Sequence, residues 1–417
     1  MSHTLAASRL SRWGIAMAAA TAGLLSCSAA ANATVYHPSP TGNAFRQAVL
    51  DANANPGFDK IIIDTTFTSF TATNLTITDD LYITSDHKHD GGDPNFFGPA
   101  LSGGSVDVRP ANFITVNPGV RLEIAGIEIN QASENGFATI FNNNGKLRLD
   151  NMAFLGNSGN IVSQAGANAS TVITNTTITD NAYTAPTVLS NGGGSVTINN
   201  STIADAPGGG PQVDGPFVLR NTVLSFVGSQ SCFTTPGAGS SNNWSTDTSC
   251  GPTAGVGDPQ LDFVFYYSGP TQTRPPLAGS PLVNAGNPAT CASSDQGFRV
   301  RPAAGGTCDI GAVENGAVRD TTPPTCAVTA TRRGPDEQDV TVSDTGSGLG
   351  YDSVFSEDIT ITNGTVAFTG LPPLGGIPAD PARPGNTVVT AAKANQSLKT
   401  KWSFIARDWA GNTQACS

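Results

Sequence analysis

The sequence predicts an all-β fold, in which a long parallel β-helix is capped in front by one α-helix and followed by a small β-sandwich. Three observations predict it. A pattern of apolar residues and asparagine repeats roughly every 24 residues through the middle of the chain, only 13% of the residues are charged, and the 417 residues include 47 Gly and 28 Pro. These features exclude a coiled coil and a charge-rich disordered chain, and they are typical of short strands joined by turns.

The repeat is marked by Gly126, Asn151, Asn175, Asn200 and Asn221, which stand 25, 24, 25 and 21 residues apart. An aliphatic residue lies two positions before each of them and an apolar residue three positions after, and alternation within these patches indicates strands. Such a repeat cannot bury its own apolar face, so we expect the repeats to stack as the rungs of a solenoid. We expect the four asparagines to be structural, with side-chain amides that bond from rung to rung and a backbone that accepts the left-handed conformation.

The open front edge of a solenoid needs a cap. Residues 43–55 can supply it, because apolar residues recur there at helical spacing and a Pro-Gly pair follows. The sequence therefore predicts an α-helix that covers the first rung, and further strands at 75–77, 81–83 and 113–116. The apolar face of the helix consists of Phe45, Ala48, Val49 and Ala52.

The chain begins like a secreted protein. Arg9 and Arg12 are the only charged residues among the first 33, an apolar run covers 13–25, and small residues up to Ala33 predict cleavage there. We expect residues 1–33 to be a signal peptide and the mature protein to be extracellular or on the outer cell surface. A periplasmic or lipid-anchored form is the alternative, because the residues before Cys27 resemble a lipoprotein cleavage box. No later stretch reaches the ~18 apolar residues that span a bilayer, so no transmembrane segment is expected.

An even number of cysteines follows Cys27, and in an oxidising compartment this indicates disulfides. The six cysteines after Cys27 could form disulfides in several different pairings. Sequence neighbours favour Cys232–Cys250 and Cys291–Cys308, which leaves Cys326–Cys416. A metal site is disfavoured, because no two cysteines have the close spacing of zinc ligands and no histidine lies near them.

Four blocks resemble those of known surface proteins. Residues 44–61 resemble the opening block of CSLREA-type bacterial surface proteins, although Gln47 stands where an acid is usual and the initial Cys is absent. Residues 280–286, 295–302 and 308–314 resemble the choice-of-anchor Q domain. The resemblance implies a right-handed parallel β-helix on an exported protein, and it implies no catalytic residue. We expect ion pairs and backbone hydrogen bonds to fix the rear cap through Asp295, Arg299, Arg301, Asp309 and Glu314.

The C-terminal part of the chain is predicted to be a separate sandwich. Asp320-Thr-Thr-Pro-Pro324 is typical of a linker, and together with 344–349 and 408–412 it resembles bacterial immunoglobulin-like surface modules. Trp402 and Trp409 are candidates for stacking on sugar, with a core position expected for one of them. Strands are predicted at 340–342, 358–362, 365–368, 387–390 and 401–406, with a two-residue hairpin at Asn363-Gly364. The predicted domains are a signal peptide (1–33), a capped β-helix (34–319) and an immunoglobulin-like β-sandwich (320–417).

Parallel β-helices often act on polysaccharides, so catalysis is one hypothesis. Lys146, Arg148 and Asp150 are the nearest set to that of a lyase, which combines acids with an Arg or Lys base, and alternation places all three on the outward face of one strand. A hydrolase needs two carboxylates at a fixed gap, and Glu123 and Asp150 on adjacent rungs are the nearest pair. We expect a solvated strand face here rather than an active site.

Metal binding is a second hypothesis. His87, His89, Asp90 and Asp93 form the densest titratable cluster, and such side chains can bind a metal. Their Gly- and Pro-rich surroundings indicate an exposed loop, so we expect no metal there. Asp344 with neighbouring loop acids is a candidate for Ca²⁺, although an ordered Asp-x-Asp pattern is absent, and no other cofactor is expected.

The net charge of −11 would repel phosphate backbones, which excludes a nucleic-acid partner. We expect a non-enzymatic exported protein with a binding, adhesion or scaffold role, whose partner is a surface glycan or a protein. The alternative is a polysaccharide lyase or glycoside hydrolase that acts on an acidic polysaccharide.

Overall fold

The main body of the protein is a parallel β-solenoid of about six turns, as predicted. Residues 1–32, which include Cys27, and the metal candidates His87, His89, Asp90 and Asp93 lie outside the described residues. The computed structural model describes residues 33–63, 67–68, 75–85, 100–102, 112–130, 139–157, 159–181, 187–190, 194–204, 213–226, 230–267, 269–303, 306–331, 337–349, 354–355, 358–369, 386–393 and 399–417.

Three parallel sheets form the walls of the solenoid, and six rungs contribute one short strand to each of them, while further strands at the ends extend the first and second sheets. The first sheet consists of Val35–Tyr36, Asp59–Ile63, Leu81–Ser85, Arg121–Ala125, Lys146–Asp150, Ser170–Thr174, Ser195–Asn199 and Phe217–Arg220. The second consists of Phe67–Thr68, Ala100–Ser102, Glu128–Asn130, Ala153–Leu155, Thr177–Thr179, Thr202–Ala204, Val223–Ser225, Asn243–Ser245 and Ala254–Val256. The third consists of Leu75–Ile77, Asn112–Val116, Thr139–Asn143, Asn160–Gln164, Val188–Ser190 and Val213–Asp214.

The interior of the solenoid is filled by apolar residues that stack in register. Ile124, Leu149, Ile173, Ile198 and Leu219 pair across successive strands of the first sheet, and all are buried. Neighbouring strands lie about 4.8 Å apart, so each rung covers the apolar face of the next. The predicted rung repeat is therefore confirmed.

The front of the solenoid carries the predicted helix, which spans Gly42–Ala54. The side chain of Thr41 accepts a hydrogen bond from the amide of Ala44, which satisfies one of the free donors of the first turn. The helix buries the four apolar residues that the periodicity predicts, and they join the core of the first rungs.

The asparagines of the repeat adopt the left-handed backbone conformation, as predicted, with φ between 42° and 55° at Asn151, Asn175, Asn200 and Asn221. Their backbone N–H groups link the rungs, as when the amide of Asn151 donates to the oxygen of Thr174 at 3.1 Å. The prediction that their side-chain amides bond from rung to rung is wrong, because these side chains bond to a later part of the chain.

That later part is a strap, residues 280–320, which turns back after the last rung and runs along the shaft. The amide of Asn287 donates to Asn221 Oδ1 at 2.7 Å, and Asn175 Nδ2 donates to the oxygen of Ser294 at 2.8 Å. Asn151 Nδ2 donates to the oxygen of Asp295 at 3.0 Å. Residues 287–296 of the strap therefore pass the rungs in the reverse of their order in the chain, and residues 311–312 return to Asn221 and Thr202.

The charged residues predicted to fix a rear cap form their ion pairs in the strap. Arg299 Nε lies 2.9 Å from Asp295 Oδ2, and Arg301 Nη1 lies 3.1 Å from Glu314 Oε2. Asp309 accepts two backbone hydrogen bonds at 2.7 Å. The predicted interactions are present, but they hold a segment that lies along the shaft instead of closing its rear end.

The C-terminal module contains two antiparallel sheets. The predicted hairpin at Asn363-Gly364 is wrong, because the strands on either side of it belong to different sheets. One sheet consists of Thr325–Thr331, Gln338–Ser343, Asn386–Lys393 and Gly364–Thr369, and the other of Ile359–Thr362, Lys401–Arg407 and Thr413–Cys416.

Disulfides join Cys232 to Cys250, Cys291 to Cys308 and Cys326 to Cys416, the pairs that sequence neighbours favour. The first lies behind the last rungs, the second closes a loop of the strap, and the third links the first and last strands of the module. Within the described part of the chain, no helix has the length and hydropathy needed to cross a bilayer.

Candidate functional site

Lys146, Arg148 and Asp150 lie on one strand of the first sheet and face outward, as predicted. The expected solvated face is wrong, because Arg148 is only 1% exposed and Asp150 is also buried. Arg148 Nε lies 2.6 Å from Asp150 Oδ2 and 3.6 Å from Glu123 Oε1 on the adjacent rung. The two carboxylates pair with a buried guanidinium, so the three charged groups satisfy one another and are shielded from solvent in this structure.

An aromatic cluster explains why this face is buried. Tyr82 precedes Glu123 and Arg148 in the same outward row of the first sheet. It packs in one cluster with Phe298 of the strap and Trp409 of the module, whose rings stack with centroids 6.3 Å apart. This part of the first sheet therefore receives the chain's own C-terminal module.

Asp320, Asp344 and Asp408 form the group of described residues whose side chains are placed to hold a metal ion. Their carboxylate oxygens lie within 4.8 Å of one another, and all three side chains are buried. Burial raises the pKa of Asp408 to about 7, although the hydrogen bonds that Asn412 donates to the carboxylate act to lower it. Carboxylate oxygens are the ligands that Ca²⁺ takes. The structure brings Asp344 together with two other acids, and Ca²⁺ binding by them stays a prediction.

A second candidate site lies on the outward face of the second sheet, where residues 261–267 and 269–276 form the two arms of an aromatic hairpin. Antiparallel bridges join Leu261 to Pro276 and Phe265 to Thr273. Thr271 Oγ1 donates to the oxygen of Asn151 at 3.1 Å, which fixes the far end of the hairpin to a rung.

A buried acid anchors the hairpin. Glu128, on the second sheet, accepts hydrogen bonds from the Tyr266 hydroxyl at 2.8 Å, the Gln272 amide at 2.5 Å and Asn130 Nδ2 at 3.2 Å. Burial raises the pKa of Glu128, and these donors oppose that rise. Burial and the neighbouring Glu128 also raise the pKa of Tyr266 well above its usual value. The hairpin is thus held by directed bonds, and its outer side is left to solvent.

That outer side exposes aromatic rings. Phe263 is 82% exposed and Phe265 is 55% exposed. The Tyr267 ring meets Phe265 edge to face at 6.1 Å, and burial together with the charge of Asp262 raises the pKa of Tyr267. Aromatic faces carry negative charge density and attract the positive C–H groups of a pyranose ring, while a carboxylate accepts hydrogen bonds from sugar hydroxyls. The arrangement is suited to holding a sugar.

Reasoning from the sequence missed this site. The available signal was four aromatic residues within positions 263–267, in a segment bounded by Pro and Gly. Of the tryptophans considered for sugar stacking, Trp409 is buried in the contact with the shaft, and Trp402 is half-buried and stacks on Phe404.

No family model matches the chain, and no curated protein matches it. Among the solved structures, the crystal structure of pectate lyase Pel9A is similar at 15% sequence identity and a TM-score of 0.32, over 69% of this chain and 97% of that chain. At that level of similarity the comparison carries no inference about function.

Proposed function

We propose that this protein is an exported, non-enzymatic glycan-binding protein, in which the solenoid is a rigid shaft and the aromatic hairpin is the binding element. The observation that carries the proposal is the pair of exposed rings, Phe263 and Phe265, beside the positioned carboxylate of Asp262. Adjacent exposed aromatic rings mark a surface that binds a ligand or partner, whereas a single exposed ring does not.

Export is supported by the three disulfides, which form and persist in oxidising compartments. The resemblance to CSLREA-type and choice-of-anchor Q proteins, and of the C-terminal module to immunoglobulin-like surface modules, agrees with a position at the cell surface. We therefore include a location at the cell surface in the proposal.

The alternative, a lyase or hydrolase acting on an acidic polysaccharide, has less support. Its catalytic candidates Arg148, Asp150 and Glu123 are buried, on the face of the first sheet where Phe298 and Trp409 pack against Tyr82 and Ala125. A substrate cannot reach these groups in this arrangement. We therefore favour binding over catalysis.

Glycan arrays test the proposal directly. We expect the mature protein to bind at least one glycan and the double variant Phe263→Ala/Phe265→Ala to lose that binding. Phe233→Ala is the matched control, because Phe233 is 66% exposed and lies beside Val213 of the third sheet, outside the hairpin. The proposal fails if the wild type binds no glycan, or if the double variant binds as well as the control.

A further inference from the structure

The groups around the exposed rings of the aromatic hairpin determine which class of glycan they accept. We propose that the hairpin binds an uncharged glycan chain and that Asp262 is the residue that discriminates against acidic chains. This inference rests on the proposed function, whose binding element it specifies further.

Asp262 is positioned by bonds within the hairpin. Its Oδ1 accepts a hydrogen bond from the amide of Phe263 at 2.8 Å, and Tyr267 lies near enough for the charge of Asp262 to raise the pKa of Tyr267. Its own amide donates to the oxygen of Pro275 at 2.9 Å, on the opposite arm of the hairpin. The carboxylate is half-exposed and lies beside the rings that would stack on a sugar. An acceptor fixed in this way suits a hydroxyl group of the stacked sugar.

The donor to the Asp262 carboxylate, the amide of Phe263, is neutral and does not cancel its negative charge. The cation of the hairpin, Arg274, is half-buried, and its Nε donates to the main-chain oxygen of Asp262 at 3.1 Å. The charge of Arg274 also interacts with Asp180 of the neighbouring second-sheet turn. Asp258 at the base of the hairpin and Glu128 beneath it add further negative charge.

The excess of negative charge around the hairpin favours an uncharged ligand. A chain of uronic acids would bring the carboxylate of the stacked unit to within a Debye length, about 8 Å at physiological salt, of Asp262. Like charges at that distance repel, whereas an uncharged sugar offers hydroxyl donors to the same carboxylate and C–H groups to the rings. The overall charge of −11 acts in the same direction.

Calorimetric titration with paired oligosaccharides tests the inference. The probes are gluco-, manno- and galacto-oligomers and the uronic-acid oligomers of the same lengths, each at 0.05 M and 0.5 M salt. We expect the wild type to bind an uncharged oligomer at least tenfold more tightly than its acidic counterpart at low salt, and the difference to shrink at high salt.

Two variants separate the roles of charge and stacking. Asp262→Asn should weaken the uncharged oligomer about tenfold, because it loses a charged acceptor, and should bring the two classes to similar affinity. Phe265→Ala should weaken both classes equally. Asp51→Asn, which removes an exposed acid on the helix, is the control and should change neither affinity.

The outcomes distinguish the two proposals. If acidic oligomers bind at least as tightly as uncharged ones and Phe265→Ala weakens them, glycan binding stands and the discrimination by Asp262 is wrong. The discrimination is also wrong if Asp262→Asn leaves the ratio of affinities unchanged. If no oligomer of either class binds, or if Phe265→Ala changes nothing, the proposed function itself is wrong.

Discussion

Arg148 illustrates how one residue of this chain is fixed by partners that are distant in sequence. Its position on an outward strand face is a local property, because Leu147 and Leu149 must point into the core. Its burial is not local, since Phe298 and Trp409, which pack over the row that leads to it, arrive from the strap and the module. Alternation therefore predicts the direction of the side chain correctly and its solvation incorrectly.

The buried charges give a prediction at the scale of single residues. Arg148→Met leaves Glu123 and Asp150 as two unneutralised buried carboxylates, so we expect it to lower the free energy of unfolding by about 3–5 kcal/mol. Chemical denaturation followed by circular dichroism measures this.

Lys146→Met on the same strand is the control, because Lys146 is half-exposed, and we expect it to change stability by less than about 0.5 kcal/mol. Replacing Glu123, Arg148 and Asp150 together by apolar residues should restore much of the lost stability. A wild-type stability in Arg148→Met would show that the cluster is solvated after all.

At the scale of elements, patterns of neighbouring residues in the sequence are sufficient to predict the helix and the rungs. The cap of Thr41 and the spacing from Phe45 to Ala52 define the helix within one turn, and the rungs follow from the period of the asparagine row. The strap and the placement of Asn363 were not predictable in this way. Both depend on contacts across the fold, and a strong local turn signal does not determine which sheet each strand joins.

The aromatic hairpin was missed for a similar reason. A run of aromatic residues is ordinarily a core strand, and only the anchoring of Tyr266 by Glu128, 138 residues earlier, turns Phe263 and Phe265 toward solvent.

The buried carboxylate of Asp408 gives a prediction about how the stability of the module depends on pH. Burial holds the pKa of Asp408 at about 7, above that of the same group in the unfolded chain. The stabilisation from its bound proton is complete below the unfolded pKa, near 4, and is lost as pH rises through about 7. In a buffer with chelator, we expect the module to unfold at lower temperature at pH 8.5 than at pH 5.

Asp408→Asn should flatten this pH dependence, and Asp51→Asn on the helix should leave it unchanged. Thermal melts followed by tryptophan fluorescence report on it, since Trp409 is the next residue. A wild-type melting temperature that rises from pH 5 to pH 8.5 would contradict the prediction.

At the scale of the whole molecule, the strap couples rungs that would be independent of one another in a simple repeat protein. In a simple solenoid each repeat contacts only its neighbours, so removing one costs about one repeat of stability. Here Asn151, Asn175, Asn200 and Asn221 bind the strap at fixed points on successive rungs. The spacing of the rungs must therefore match the length of the strap.

Deleting residues 175–199 tests this coupling, because it removes one full rung and keeps the repeat in register. The shaft then shortens by about 4.8 Å, and the strap no longer meets all its asparagines. We expect residues 287–296 to lose protection from hydrogen exchange while the remaining rungs keep theirs. Full protection of both in the deletion variant would show that the strap docks without regard to the rungs.

The direction of the strap has a mechanical consequence. Residues 287–296 pass the rungs in reverse order and residues 311–312 return to Asn221 and Thr202, so the strap links rungs that lie far apart along the shaft. A terminal rung therefore cannot peel away alone, because its bonds to the strap must break with it.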